Sequence, residues 1–323
     1  MVMAGETTRV VRGLASSLDD NLGRHRRGGG DPSHRHLHGT WWRATTTPEG
    51  SALVRFTPRA DDVEVTAWGE GAEWALQQSP RLLGAHDLVD DIPRDHPLHT
   101  HPVAAPLARA RLRPIGASGL VAEALAPTIL EQKVTGAEAF SAIRTLVRRY
   151  GTPAPGPAAT PGHPASGMVC PPTAQQWVAI PSWAYLQAGV EPRRAQVVVR
   201  VLGRGASLQR LLDSTPDEPA ASAGARLGAA LQSLPGIGPW TSSRVRQAVV
   251  GDPDAWSVDD YHVPGFIVHA LTGERVGPGD SSAAERLLEP FVGHRYRVEQ
   301  LLARGVERRE RRGPRRSLPT HLP

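Results

Sequence analysis

The chain has one cysteine, Cys170, and one lysine, Lys133, in 323 residues. A lone thiol excludes any disulfide within the chain, and it excludes an iron–sulfur cluster, which needs four ligands. No run of about 18 apolar residues exists to cross a bilayer, and the N-terminus lacks the apolar stretch of a secretory signal. The expectation is a cytoplasmic, monomeric chain with no membrane partner. With lysine nearly absent, the positive charge is arginine: 37 basic residues stand against 32 acidic ones, and the pI is near 10.1. The arginines cluster at 24–27, 148–149, 193–194 and 304–316. Guanidinium forks pair well with phosphate, so a nucleic-acid partner is one reading and a solvated, arginine-biased surface the other. The run Arg308 to Arg316 reads as a basic tail and not as a specific site.

The length allows two domains with a large core. Residues 1–38 show no apolar periodicity and carry Gly28-Gly-Gly30, so they read as a disordered, dispensable N-terminal tail. His34, His36 and His38 fall in this stretch and read as low complexity before they read as a metal site. Residues 51–56 and 63–68 alternate with period two, as strands do. Residues 71–83 read as a helix broken near Pro80. These elements predict a small α+β domain over 39–113. The segment 114–303 is mainly helical in pattern, with Trp177 and Trp183 as core residues and a proline-rich linker or surface loop at 152–172. Residues 304–323 form the basic C-terminal tail. The fold class is mainly α, with a small α+β domain in front and disordered tails.

The most informative stretch is Leu234-Pro-Gly-Ile-Gly-Pro-Trp-Thr241. Ser222 to Ser233 reads as a helix with Ser222 as its N-cap, and Pro235 and Gly236 stop it. Thr241 to Val250 reads as a second helix. The Gly-Ile-Gly turn then places N–H groups at a helix start, where partial positive charge suits a phosphate. Gly236 and Gly238 admit a close backbone, and Ile237 plugs the hairpin. Downstream, Val258-Asp259-Asp260-Tyr261-His262-Val263 runs into a helix over 266–271. Either aspartate fits an N-cap there.

Taken together, the hairpin and the Asp-Asp-Tyr resemble the helix-hairpin-helix DNA glycosylase superfamily, and most closely its 3-methyladenine DNA glycosylase II branch. The resemblance covers roughly residues 41–303. It makes Asp260 the match to the catalytic acid and Asp259 its neighbour. Trp240 matches the hairpin tryptophan of the base pocket, against the bland reading of a core residue, and Tyr261 adjoins it. Gly236, Ile237, Gly238 and Thr241 match the phosphate-gripping turn. Pro127 to Ala139 resembles the helix whose residues enter the duplex behind a flipped base, and Gln132 and Lys133 match those positions. An amphipathic helix burying Ile129, Val134 and Ala137 is compatible with this. The backbone carbonyls of Gln232, Leu234 and Gly236 match positions that coordinate a monovalent cation; no other cofactor is implied.

Three departures stand out. Lys133 replaces a residue that is often apolar. Arg244 stands where the branch has an aromatic, and it faces either the base pocket or a phosphate. His294 and Tyr296 stand near the place of a further pocket tryptophan. Relatives that cut the strand carry a lysine where Trp240 sits here, so the resemblance implies base release without strand cutting. The expected partner is duplex DNA with a damaged base, which places the protein at the nucleoid. The expected reaction is excision of alkylated purines of the 3-methyladenine type. The rivals are a bulky or otherwise different purine adduct, and a non-enzymatic DNA clamp.

Overall fold

The computed structural model describes residues 7–277 and 280–305. They divide into two compact units, each drawn from two stretches of chain: 7–80 with 120–210, and 81–119 with 211–305. A single boundary near residue 113 is therefore replaced by interleaved pieces.

The first unit contains a five-stranded antiparallel sheet. Its strands are β1 (Thr7–Val11), β2 (His34–Leu37), β3 (Thr40–Thr47), β4 (Gly50–Arg59) and β5 (Asp62–Trp68), in the order β1-β5-β4-β3-β2. The period-two pattern sets the register, with Phe56 opposite Val65 and Leu53 opposite Trp68. Trp42, Ala44, Leu53 and Trp68 pack with Ala158, Ala165, Met168 and Cys170. The proline-rich segment is thus part of the core, not a linker. Thr152–Pro153 and Val169–Cys170 pair as β6 and β7. Prolines reduce the entropy this irregular chain loses on ordering, and its small side chains fit against the two tryptophans. Burial pushes the Cys170 thiol up to about 12, so it is inert at neutral pH.

Residues 7–38 are folded, contrary to the disorder expected of 1–38. β1 and β2 are the two edges of the sheet. The helix Leu18–Gly23 buries Leu18 and Leu22 completely or nearly so. The Gly-rich loop behind it is closed by Asp31, whose carboxylate accepts from the backbone N–H groups of Arg27, Ser33 and His34. His34 is buried, and desolvation lowers it to about 4. Among the described residues no cluster of metal ligands forms, at the histidines or elsewhere.

Other local expectations change for identifiable reasons. The helix Ala72–Leu83 runs through Pro80. The carbonyl of Leu76, which Pro80 cannot satisfy, accepts the Ser79 hydroxyl at 2.7 Å instead. Trp177 is buried as expected, whereas Trp183 is 49% exposed with the Arg149 guanidinium 4.9 Å from its ring.

The second unit is helical. Its core gathers Leu98, Trp256, Ile267, Leu288, Phe291, Tyr296 and Leu302. Tyr296 is therefore a core residue and not a pocket residue. Arg297, also buried, donates two hydrogen bonds to the Asp87 carboxylate. The basic tail expected at 304–323 lies, from residue 306, outside the described residues, and its first two residues end the helix Arg295–Gly305. Among the described residues no helix is long and apolar enough to cross a membrane.

Candidate functional site

The hairpin lies within the second unit. Its first helix is Ala220–Gln232, and it starts after Pro219, so Ser222 is helical and does not cap it. Its second helix is Pro239–Val249, opening at Gly238. Gly236 has φ +98°, a conformation that favours glycine and turns the chain sharply. Gly238 differs: its backbone is open to any residue, and a Cβ there would meet no atom within 4 Å. The protein's own packing does not demand glycine at 238, and its absence of a side chain leaves the backbone there bare. Both glycines are exposed, Ile237 is buried beneath them as a plug, and Thr241 is buried too, so its hydroxyl is not offered to a ligand. Gln232 donates across the hairpin to Ser242 Oγ, and the Leu234 carbonyl accepts the Ile237 N–H.

The acid comes to the hairpin through a pinned loop. Trp240 Nε1 donates to Asp260 Oδ2 at 3.0 Å. Asp260 Oδ1 accepts the N–H groups of His262 and Val263, at 2.8 and 3.1 Å. Asp260 therefore caps the helix Val263–Thr272 with one oxygen and meets the tryptophan with the other. Asp259 has φ +59°, and its N–H donates to Ser281 Oγ. Positive φ is uncommon outside glycine, and aspartate is among the residues that tolerate it. Tyr261 is half exposed, edge-on to His262.

Every second or third residue of the loop before Asp260 is anchored. Asp252 accepts Nε and Nη2 of Arg246, on the second hairpin helix. Asp254 pairs with Arg295, and Trp256 enters the core. Ala255 O and Ser257 Oγ accept the Gln247 amide. Arg244, one turn after Trp240, donates to Gln247 Oε1 at 3.1 Å and joins this network. His294 packs edge-on against His96, and burial lowers it to about 4.

In the first unit, Gln132 and Lys133 are not on a helix. The helix Val121–Leu130 ends before them, and the next, Gly136–Tyr150, begins after the Thr135 capping box. They form the turn between. Val134 is partly buried and Ala137 exposed, so the expected apolar face is absent there. Lys133 is exposed at φ +55°. The turn is braced from both sides: Arg27 pairs with Glu131 at 2.6 Å, and Arg194 donates to the Leu130 carbonyl. Two of the expected phosphate-binding arginine clusters thus contribute structural residues. Arg148 adds a third, donating to the Gly30 carbonyl.

Among solved structures, a 3-methyladenine DNA glycosylase from Archaeoglobus fulgidus matches with a TM-score of 0.67 at 17% identity, over 92% of this chain and 96% of that one. An 8-oxoguanine glycosylase/lyase from Clostridium acetobutylicum, in complex with duplex DNA holding cytosine opposite 8-oxoguanine, matches with a TM-score of 0.61 at 12% identity, over 94% and 99%. The chain has the helix-hairpin-helix DNA glycosylase fold. No family model and no curated protein matches its sequence.

Within this fold, sequence reasoning missed Gln247, Asp252, Asp254, Ser257 and Glu299. A signal existed for one of them. Glu299 lies three residues from both Tyr296 and Leu302, on the face of the last helix that packs inward, so a charge there had to be structurally or chemically engaged.

Proposed function

We propose that this protein is a DNA glycosylase that flips an alkylated purine from the duplex and hydrolyses its N-glycosidic bond. The contact between Trp240 and Asp260 carries the reading. It places an oriented carboxylate beside an aromatic ring on a hairpin whose exposed Gly238 leaves room for a phosphate. Cleavage builds positive charge on the sugar, and a fixed carboxylate stabilises it without reorganisation. The ring offers its face to an already cationic base. By resemblance alone, Gln132 and Lys133, on the braced turn of the first unit, remain candidates for contact with the duplex. The carbonyls of Gln232, Leu234 and Gly236, at the negative end of the first hairpin helix, would accept a monovalent cation.

Duplexes each carrying one defined lesion test this directly. Release of 3-methyladenine or 7-methylguanine should exceed release of uracil or 8-oxoguanine. The strand should stay whole until alkali is added, and borohydride should trap no adduct, because Trp240 occupies the hairpin position where strand-cutting relatives carry lysine. Arg244, held one turn beyond Trp240, favours a second reading in which the base is neutral or bulkier. Faster release of 8-oxoguanine would select it, and no release of any base would leave a DNA clamp.

Trp240→Phe separates the two uses of the tryptophan, since it keeps an aromatic face and removes the N–H on Asp260. A hydrogen bond to a charged group is worth about 1.5–3 kcal/mol, so base release should fall roughly tenfold to a hundredfold with lesion affinity little changed. Equal rates in wild type and variant would show that the contact orients nothing.

A further inference from the structure

One acid stands behind the site and has no part in the chemistry above. Glu299, on the helix Arg295–Gly305, is 5% exposed. Its two oxygens take both donors of Ser257: Oε2 accepts the backbone N–H at 2.7 Å, and Oε1 accepts the hydroxyl at 2.9 Å. Ser257 in turn receives the Gln247 amide at 3.1 Å, and its carbonyl accepts the N–H of Asp260 at 3.2 Å. Gln247 and Ser257 are both almost fully buried. The chain of contacts therefore runs from the last helix, through one serine, to the backbone of the proposed catalytic acid.

We propose that Glu299 is a positioning residue for Asp260, acting through Ser257, and that its ionised form is the one that holds the loop in register. The inference rests on the glycosylase reading for its functional consequence, but the coupling itself is a property of the second unit. The donor count explains the dependence on ionisation. An ionised carboxylate accepts both Ser257 hydrogens. A protonated one can still accept the backbone N–H, but its own hydrogen must then go to Ser257 Oγ, and the Ser257 hydroxyl hydrogen loses the acceptor it has now.

The charged groups facing Glu299 are Arg244 from the second hairpin helix and Asp260 from the loop. On its own helix, Arg295 and Arg297 are committed to Asp254 and Asp87. Burial pushes Glu299 up to about 7; the Ser257 hydrogen bonds and Arg244 pull it down, and Asp260 pushes it further up. The switch between forms thus falls near neutral pH. A carboxyl raised in the folded state contributes stability that is full below its unfolded value and lost as pH rises through the folded one. Ionised Glu299 therefore weakens the fold while it holds the loop.

The test follows the side-chain carboxyl 13C resonance of Asp260 from pH 5 to 9 in the full chain, in wild type and in Glu299→Gln. The wild type should show a step near pH 7 that is absent in Glu299→Gln. Single-turnover release of 7-methylguanine should rise roughly tenfold through the same window in wild type, the scale of one lost hydrogen bond to a charged group, and stay at its low-pH level in Glu299→Gln. The melting temperature of Glu299→Gln should gain on wild type as pH increases from 5 to 8. A step that is missing from wild type, or that persists in Glu299→Gln, overturns the proposal whether or not bases are released. A step without any pH dependence of release overturns the positioning role. A step of the expected kind in a protein that releases no base would support the coupling and defeat the glycosylase reading instead.

Discussion

Asp260→Asn should reduce base release by a factor of about a hundred to a thousand while the protein still folds and still binds lesion DNA. The magnitude is that of removing one preorganised electrostatic contact from a developing charge. Folding should survive because asparagine caps helices about as well as aspartate, and its oxygen can keep the N–H groups of His262 and Val263. The side facing Trp240 fares worse. An amide nitrogen there would oppose the indole N–H that now donates to Oδ2. Asp259→Asn is the control: asparagine tolerates the φ of +59° at that position, and the backbone N–H to Ser281 is unaffected. Its rate should stay within a few-fold of wild type. Measured under single-turnover conditions, a larger loss at 259 than at 260 would put the catalytic register one residue earlier, and normal rates in both would remove the acid from the mechanism.

Removal of residues 1–38 should abolish the cooperative thermal transition of the first unit. The truncation strips β1 and β2, leaving β5 and β3 as raw edges. It also deletes Val11, Leu18 and Leu22, all buried. At about 1.5–3 kcal/mol for each buried side chain, these three alone approach the 5–15 kcal/mol that stabilises a typical domain. The ion pair from Arg27 to Glu131 goes with them, so the turn bearing Gln132 and Lys133 loses a brace. Circular dichroism of the 39–323 protein decides the matter. A melt superimposable on that of the full chain would mean that the N-terminal segment is dispensable.

That second expectation reverses what the sequence suggests, and the reason is instructive. β1, the short helix and β2 are held by hydrogen bonds that leave no periodic trace: Asp31 closing a Gly-rich loop, and edge strands too short to show alternation. The same holds for the proline-rich segment, whose buried Ala154, Ala158, Ala165, Met168 and Cys170 are spread among turns without a period. The hairpin was legible because its turn demands glycine at 236 and its helices have ordinary stop signals. A cap at Asp259 or Asp260 is legible in the sequence, whereas the contact of Asp260 with Trp240 shows only in the structure. Gln247 and Ser257 leave no sequence signal because the contacts that join them to Ala255, to each other and to Glu299 span eight or more positions. Composition leaves the arginines' roles open, and only the structure shows that Arg27, Arg148 and Arg194 tie backbone and side chains together inside the first unit.

The interleaving of the two units also fixes the order in which they are completed at the ribosome. Residues 7–80 emerge first, but the unit they belong to closes only when 120–210 has followed, with a stretch of the other unit made in between. At about 5–20 residues per second, this leaves the nascent sheet waiting roughly 7 to 26 s for its remaining partners. During that interval Trp42 and Trp68 lack the alanines, Met168 and Cys170 that later cover them. Slow translation between residues 80 and 210 would lengthen that exposure.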